Sequence, residues 1–339
     1  MDLISPPDTE GLDAGRKIAK FNGRYGINLQ ALTRQEKIVR FFVKYRYLHF
    51  MALPCVAYYI IFKYIPMYGV VIAFKNYQPI DGFFGIISSP WAGLSNFRRF
   101  FSSIFFTRLL TNTLLISTYR LIFSFPAPII LAILINEVSA RNFKRVVQTI
   151  TYMPHFLSWV IVAGLLIVLL SPTAGPIAAI AKMMGFTPIV YLSDTRFFRS
   201  ILVVSEIWKN VGFGTIIYLA AITGFDQEMY EAATIDGATR IQKILRITLP
   251  QLLMSIVSIM FILAVGRILD ENFEQIFNLY NPAVYEVGDV FETYVYRTGI
   301  INAQYSYSAA VGVFKAVVSL IMVYSANKVA KYLGNQGLW

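Results

Sequence analysis

Six stretches, each about the 20 mostly apolar residues needed to cross a hydrocarbon layer as a helix, run through this 339-residue chain. They fall at 48–74, 109–135, 146–170, 201–222, 252–269 and 309–329. Composition agrees with that reading. Hydrophobic residues make up 56% of the chain and charged residues 14%, against about 45–50% and about 25% in ordinary soluble domains. A soluble fold would have to leave large apolar patches in water. Inside lipid only helices and closed barrels satisfy their own backbone groups, and a barrel would show short alternating segments instead. The expected fold is therefore all-α: a polytopic membrane protein with six transmembrane helices. Pro54, Lys63 and Pro66 interrupt the first segment, while Pro126, Pro128 and Pro154 fall inside the second and third. Neighbouring helices can re-satisfy the carbonyls that such prolines free.

Charge orients these helices. The chain carries 30 basic and 19 acidic residues, a net charge of +11. In a soluble protein that excess would suggest nucleic acid. Here the basic residues lie between apolar runs and read as topology signals, so no nucleic-acid partner is expected. Residues 1–47 form a polar, basic segment with no apolar core ahead of a small-residue cleavage site, which excludes a removable signal peptide. With both termini in the cytoplasm, 17 of the 30 basic residues lie inside and eight in the outer loops. The expected division is a cytoplasmic N-terminal segment 1–47, lying partly along the membrane surface, and a transmembrane domain 48–335 in contact with lipid.

The chemistry available to the chain is narrow. Cys55 is the sole thiol, and His49 and His155 are far apart and fit no metal-binding spacing. Both histidines are read as packing or interfacial residues, and no catalytic or metal-binding residue is assigned. The stretch 11–17 faintly suggests a phosphate loop but is one residue short and lacks the Gly-Lys-Ser/Thr ending. The expectation is a chain with no ATPase site and no cofactor of its own. Two alternatives stay open. A secondary transporter would favour internal repeats, of which none is evident; an intramembrane enzyme would need a nucleophile–base pair or a metal set.

The loop 226–250 carries the most information. Asp226 is placed to cap a helix, and Glu228 puts negative charge in its first turn. Gly237 is suited to end that helix in a left-handed conformation. Ile241, Ile244, Leu245 and Thr248 then fall on one face of a second helix, which Pro250 is expected to close. The result is a helix–turn–helix knob with small residues on one side. The residues alone leave two readings: a knob that docks into another protein, or an amphipathic connector on the headgroups.

A resemblance distinguishes them. Glu231, Ala232, Ala233, Gly237, Ile247, Leu249 and Pro250 match the fixed positions of the EAA loop found in the membrane subunits of binding-protein-dependent ABC importers. The stretches 62–69, 145–155, 273–282 and 299–307 resemble the maltose-type carbohydrate permeases, in the branch that serves oligo- and polysaccharides such as alginate or pectin fragments. The resemblance covers most of the chain beyond its N-terminal tail. It implies a bacterial inner-membrane permease that forms half of a translocation pathway, with a second homologous permease as the other half. Two ATP-binding cassette subunits would bind ATP and Mg and receive the knob, and an extracytoplasmic solute-binding protein would deliver the saccharide.

Charged groups inside spans mark further candidates, because they are costly in lipid and face a protein interior or a watery path. Glu206 and Lys209 are three residues apart on the fourth span and can meet on one face, with Asn210 beside them. Gly212 and Gly214 allow close backbone approach. The trio reads equally as a pathway wall or as a self-neutralised brace. Arg267, Asp270, Glu271 and Glu274 cluster at the end of the fifth span, facing either sugar or solvent. Arg120 and Lys63 read as side chains snorkelling to the headgroups. Tyr280, Tyr285, Tyr294, Tyr296, Tyr305 and Tyr307 offer either sugar-stacking faces or an aromatic belt. If the substrate is acidic, Lys209 or Arg267 could neutralise its carboxylate.

Overall fold

The computed structural model describes residues 43–269 and 272–332. Residues 1–42, with the 11–17 stretch and most of the N-terminal segment, lie outside the described residues, as do Asp270, Glu271 and 333–339. Among the described residues the structure is helical, with a single isolated bridge between Lys75 and Trp91. The chain divides into two units, Met1–Tyr68 and Gly69–Trp339.

Among the described residues, five helices are long and apolar enough to cross a membrane: Arg46–Phe74, Ile104–Glu137, Thr195–Thr223, Arg240–Gly266 and Tyr305–Tyr332. The sixth expected span is not a straight helix. Arg141–Phe156 and Trp159–Leu169 meet at a bend of 101°. Pro154 sits just ahead of the break, Leu157 is extended, and the Ser158 hydroxyl accepts from Ile161 N at 3.3 Å to start the second piece. Trp159–Leu169 has 11 residues, which at about 1.5 Å per residue is too short to cross the layer alone. The expected 146–170 run is thus a sharply bent helix pair and not one straight helix.

Prolines at 66, 126 and 250 are absorbed without ending their helices. A π-turn begins six residues before each of them, at Ile60–Tyr64, Arg120–Ser124 and Ile244–Thr248. The widened turn moves the hydrogen bonds from i→i−4 to i→i−5, as in Phe125 N donating to Arg120 O at 2.9 Å, and so leaves room for the ring. This corrects the expectation for Pro250. It does not close the second loop helix, which runs on unbroken from Arg240 to Gly266 as the fifth span.

The spans bury polar as well as apolar groups and expose much apolar surface outward, such as Ile130, Val160, Val168 and Leu320. Span four is the axis of the larger unit. Phe198 and Leu202 pack with Ile116, Ala163 and Ile276; Tyr218, Leu219 and Ile222 pack with Ile129, Ala132 and Leu252. At Gly212 span four meets the backbone of Thr151 so closely that any Cβ would clash with its carbonyl, and Gly214 lies against Pro128. Gly164 has nothing within 4 Å of such a Cβ. Overpacking a filled interior costs about 1–3 kcal/mol. Gly212→Ala should therefore lower the melting temperature of the detergent-purified chain, while Gly164→Ala leaves it unchanged. Equal melting curves would show that the Thr151 contact is not tight.

Candidate functional site

Glu206, Lys209 and Asn210 leave span four in two directions. Lys209 is 6% exposed and turns to the bend, where the helical ladder is interrupted. Its Nζ donates to the His155 carbonyl at 2.7 Å and lies 5.5 Å from the centroid of the Trp159 ring. The expected Glu206–Lys209 pair is not formed, because an unsatisfied carbonyl inside a membrane takes the ammonium instead. Glu206 Oε1 accepts from Asn210 Nδ2 at 2.8 Å, one turn along the helix. Asn210 Oδ1 in turn accepts from His155 Nδ1 at 2.9 Å, and the imidazole stacks on Phe213 at 3.9 Å. His155 packs, as expected, and also links the bend to span four.

Glu206 also lines a cavity of about 300 Å³. Ser117, Arg120 and Ser124 from span two line it, together with Arg267 just past span five. Glu206 Oε2 and Ser124 Oγ are buried without a hydrogen-bond partner among the described residues. Buried polar atoms are seldom left so, and a hydroxylated ligand could donate to the first and exchange with the second. Arg120 does not snorkel. It hydrogen-bonds Gln275, a fully buried amide that also donates to Leu202 O at 2.7 Å and Ser205 Oγ at 2.9 Å. Of the five proposed pathway residues, Glu206 and Arg267 line the cavity. Lys209 and Asn210 brace the bend, and Glu274 is solvent-exposed. Asp270 and Glu271 lie outside the described residues. Ser117, Ser124 and Gln275 were not singled out by sequence reading, since lone polar residues in apolar runs carry no spacing signal.

Sequence reading also missed the buried acid of the region between spans five and six. Asp289 is fully buried, held by both Arg297 nitrogens at 2.5 and 3.2 Å and by Thr293 Oγ1 at 2.8 Å, with Arg108 at 4.0 Å. Asn112 donates to the Asp289 and Glu286 carbonyls and accepts from Arg199 at 2.8 Å. Tyr294 and Tyr307 are buried with their hydroxyls 3.1 Å apart. Burial, then the Tyr307 hydroxyl, raises the Tyr294 phenol well above the usual tyrosine value. Tyr280 packs at a tilt on Tyr285, Tyr296 packs against Phe273 and edge-on to Phe277, and Tyr305 meets Tyr77 edge-on.

The knob has the expected parts. Asp226 Oδ1 accepts from Glu228 N at 2.9 Å and starts the helix Gln227–Ile235. Gly237 takes φ +75°, Ala238 N donates to Ala233 O and Gly237 N to Thr234 O, completing a Schellman cap. Thr239 and Gln242 then form a capping box that opens the long helix. Tyr230 OH meets Thr248 Oγ1 at 3.0 Å and Lys243 Nζ donates to Thr234 at 3.2 Å, tying the two helices together. Glu231, Ala232 and Gly237 are exposed, Ala233 half-buried, and Ile247, Leu249 and Pro250 half-buried at the base. The expected apolar stripe is divided: Thr248 is buried and Ile244 half-buried, while Ile241 and Leu245 face outward beside an 87% exposed Ile235.

The chain is similar to known proteins over most of its length. Residues 124–333 match the family described as "Binding-protein-dependent transport system inner membrane component". The chain is 45% identical over 309 residues to the polygalacturonan/rhamnogalacturonan transport system permease protein YteP of Bacillus subtilis (strain 168), covering 90% of this chain and 95% of that protein. It is 44% identical over 294 residues to Protein LplB of the same organism, covering 87% and 91%. Among solved structures it resembles a chain of the bacterial alginate ABC transporter in complex with alginate pentasaccharide-bound periplasmic protein. That match has a TM-score of 0.81 and 39% identity and covers 89% of this chain and 100% of that one.

The two destinations on span four separate by mutation. Lys209→Met leaves the His155 carbonyl unsatisfied, worth about 1–3 kcal/mol, and should lower the melting temperature of the purified chain. Glu206→Gln should leave it unchanged. Loss of stability in Glu206→Gln alone would mean that the carboxylate, and not the ammonium, braces the bend.

Proposed function

The chain belongs to the inner-membrane components of binding-protein-dependent transport systems, and from that membership we propose a permease that forms half of the pathway for an acidic oligosaccharide, driven by ATPases on separate subunits. It is a transport subunit of an ABC importer. The reading adds a second permease, two ATP-binding cassette subunits that hold ATP and Mg, and an extracytoplasmic binding protein. The relatives support the substrate class: polygalacturonan and alginate, named for YteP and for the solved transporter, are both polyuronates. The cavity of Glu206, Ser124 and Arg267 suits a sugar, offering an acceptor and a hydroxyl for sugar hydroxyls and the Arg267 guanidinium for a carboxylate.

One observation carries the coupling mechanism: the knob helix, its glycine turn and span five form one mechanical piece. The Schellman cap fixes the turn, Tyr230 and Lys243 clamp the two helices, and the second helix enters the membrane without a break at Pro250. A push on the exposed face of Glu231 and Ala232 is thus delivered to a helix that ends at Arg267, on the cavity wall. Small side chains there allow deep docking, and the Glu231 carboxylate can accept from a basic or backbone donor on the ATPase.

Two measurements test this reading. Gly237→Val forces a β-branched residue to positive φ, a strain of about 1–3 kcal/mol. The variant should insert normally yet abolish substrate-stimulated ATP hydrolysis in the reconstituted importer, compared with wild type at matched abundance. Unchanged coupling would reduce the loop to a connector. For topology, Cys55 is an exposed free thiol and is first changed to Ser. Cysteine at Ile80 (93% exposed) should then react only from outside and at Ile235 only from the cytoplasm. The reverse pattern would overturn the orientation. Asp289 is unsuitable for this labelling because it is fully buried.

A further inference from the structure

A second polar cavity, of about 290 Å³, lies at the N-terminal ends of spans two and six. The proposed topology puts these ends outside. Arg99, Tyr294, Arg297, Asn302, Gln304 and Tyr307 line it. The cavity stands apart from the one at Glu206 and shares no residue with it.

Its charge is unbalanced. Asp289, the partner of Arg297, is already held by both of its Nη nitrogens, with Arg108 at 4.0 Å. Arg199 joins the same network through Asn112. Arg99 has no ion-pair partner among the described residues: its Nη2 donates to the Gln304 amide oxygen at 3.0 Å, and its guanidinium lies 4.6 Å from the Tyr307 ring centroid. The outer side holds eight of the 30 basic residues; Arg108, Arg199 and Arg297 gather around Asp289, and Arg99 lines the same cavity as Arg297. Such concentration on the cation-poor side is not a topology signal.

The rest of the lining fits one chemical class. A uronate ring has an apolar C–H face, hydroxyls around its edge and a carboxylate. Aromatic walls suit the face, the Asn302 amide and the remaining Gln304 N–H groups suit the hydroxyls, and an unpaired guanidinium fork suits the carboxylate. The volume lies near the lower end of the range of about 300–1,000 Å³ for small-ligand sites, which fits one sugar unit and not a chain. We propose that this outer cavity binds one uronate unit of the arriving saccharide through Arg99, selecting acidic from neutral sugar before the pathway between the spans is entered. The proposal rests on the importer reading above for its orientation and its substrate.

Photolabelling tests it. The assembled importer in phosphatidylcholine nanodiscs is exposed to a galacturonate trisaccharide bearing a diazirine, and the labelled peptides are mapped by mass spectrometry. Label is expected between residues 294 and 307, competed by free trisaccharide and not by its fully methyl-esterified, uncharged form. Arg99→Gln should reduce that label by about tenfold or more, the weight of one charge-assisted hydrogen bond. Arg99→Lys should recover part of it, and Lys182→Gln should not change it. Label elsewhere only, equal competition by the ester, displacement by phosphatidylglycerol but not by trisaccharide, or indifference to Arg99→Gln would each overturn the site. Uptake by the same wild-type assembly is read separately. Transport with an unlabelled cavity removes this site and keeps the importer; no ATP-dependent uptake of any saccharide removes the importer reading itself.

Discussion

A helix broken inside a membrane exposes carbonyls that lipid cannot satisfy, and the arrangement around span four answers that requirement. The bend between Phe156 and Trp159 is tolerable because Lys209 donates to the His155 carbonyl and His155 is itself tied to Asn210. Gly212 lets the two backbones close to contact just beyond. Once Lys209 is committed there, Glu206 is left with one oxygen on Asn210 and one unpartnered among the described residues. The polar wall and the structural brace are therefore two halves of one arrangement, separated by the three residues from Glu206 to Lys209.

Buried ions do different work at the two ends of the larger unit. Asp289 is saturated by Arg297, Thr293 and the nearby Arg108, and fixes the segment between spans five and six against spans two and four. Removing one partner from such a network leaves an uncompensated charge, which is far costlier than the pair is stabilising. Glu206 keeps one oxygen without a hydrogen-bond partner among the described residues, which is what the proposed function assigns to a ligand. The two carboxylates thus differ in how many donors surround them.

Much of this was legible in the sequence. Apolar runs located the helices, and Asp226, Gly237 and the small residues between them located the knob, because caps and positive φ are written in residue type. The reading failed where partners come from far along the chain. Asp289 carried no local signal, since Arg108 and Arg199 lie about 180 and 90 positions away and pair with its surroundings only in the fold. Arg120 looked like a snorkelling side chain because Gln275, its partner, is 155 residues distant. Lys209 was paired with its sequence neighbour Glu206, although the nearer demand came from a broken backbone.

The wide turns ahead of the prolines have a geometric consequence. Each π-turn inserts one residue, which advances the helix phase by about 100° relative to a regular 3.6-residue pattern. Span five has two in series, Ile244–Thr248 and Leu253–Val257. Side chains beyond 257 therefore point about 200° away from where a helical wheel drawn from Arg240 would put them. A face that points outward at Ile241 is turned to the opposite side of the helix before it ends. Two such insertions let one uninterrupted rod present its outward face at the knob and its inward face at the cavity.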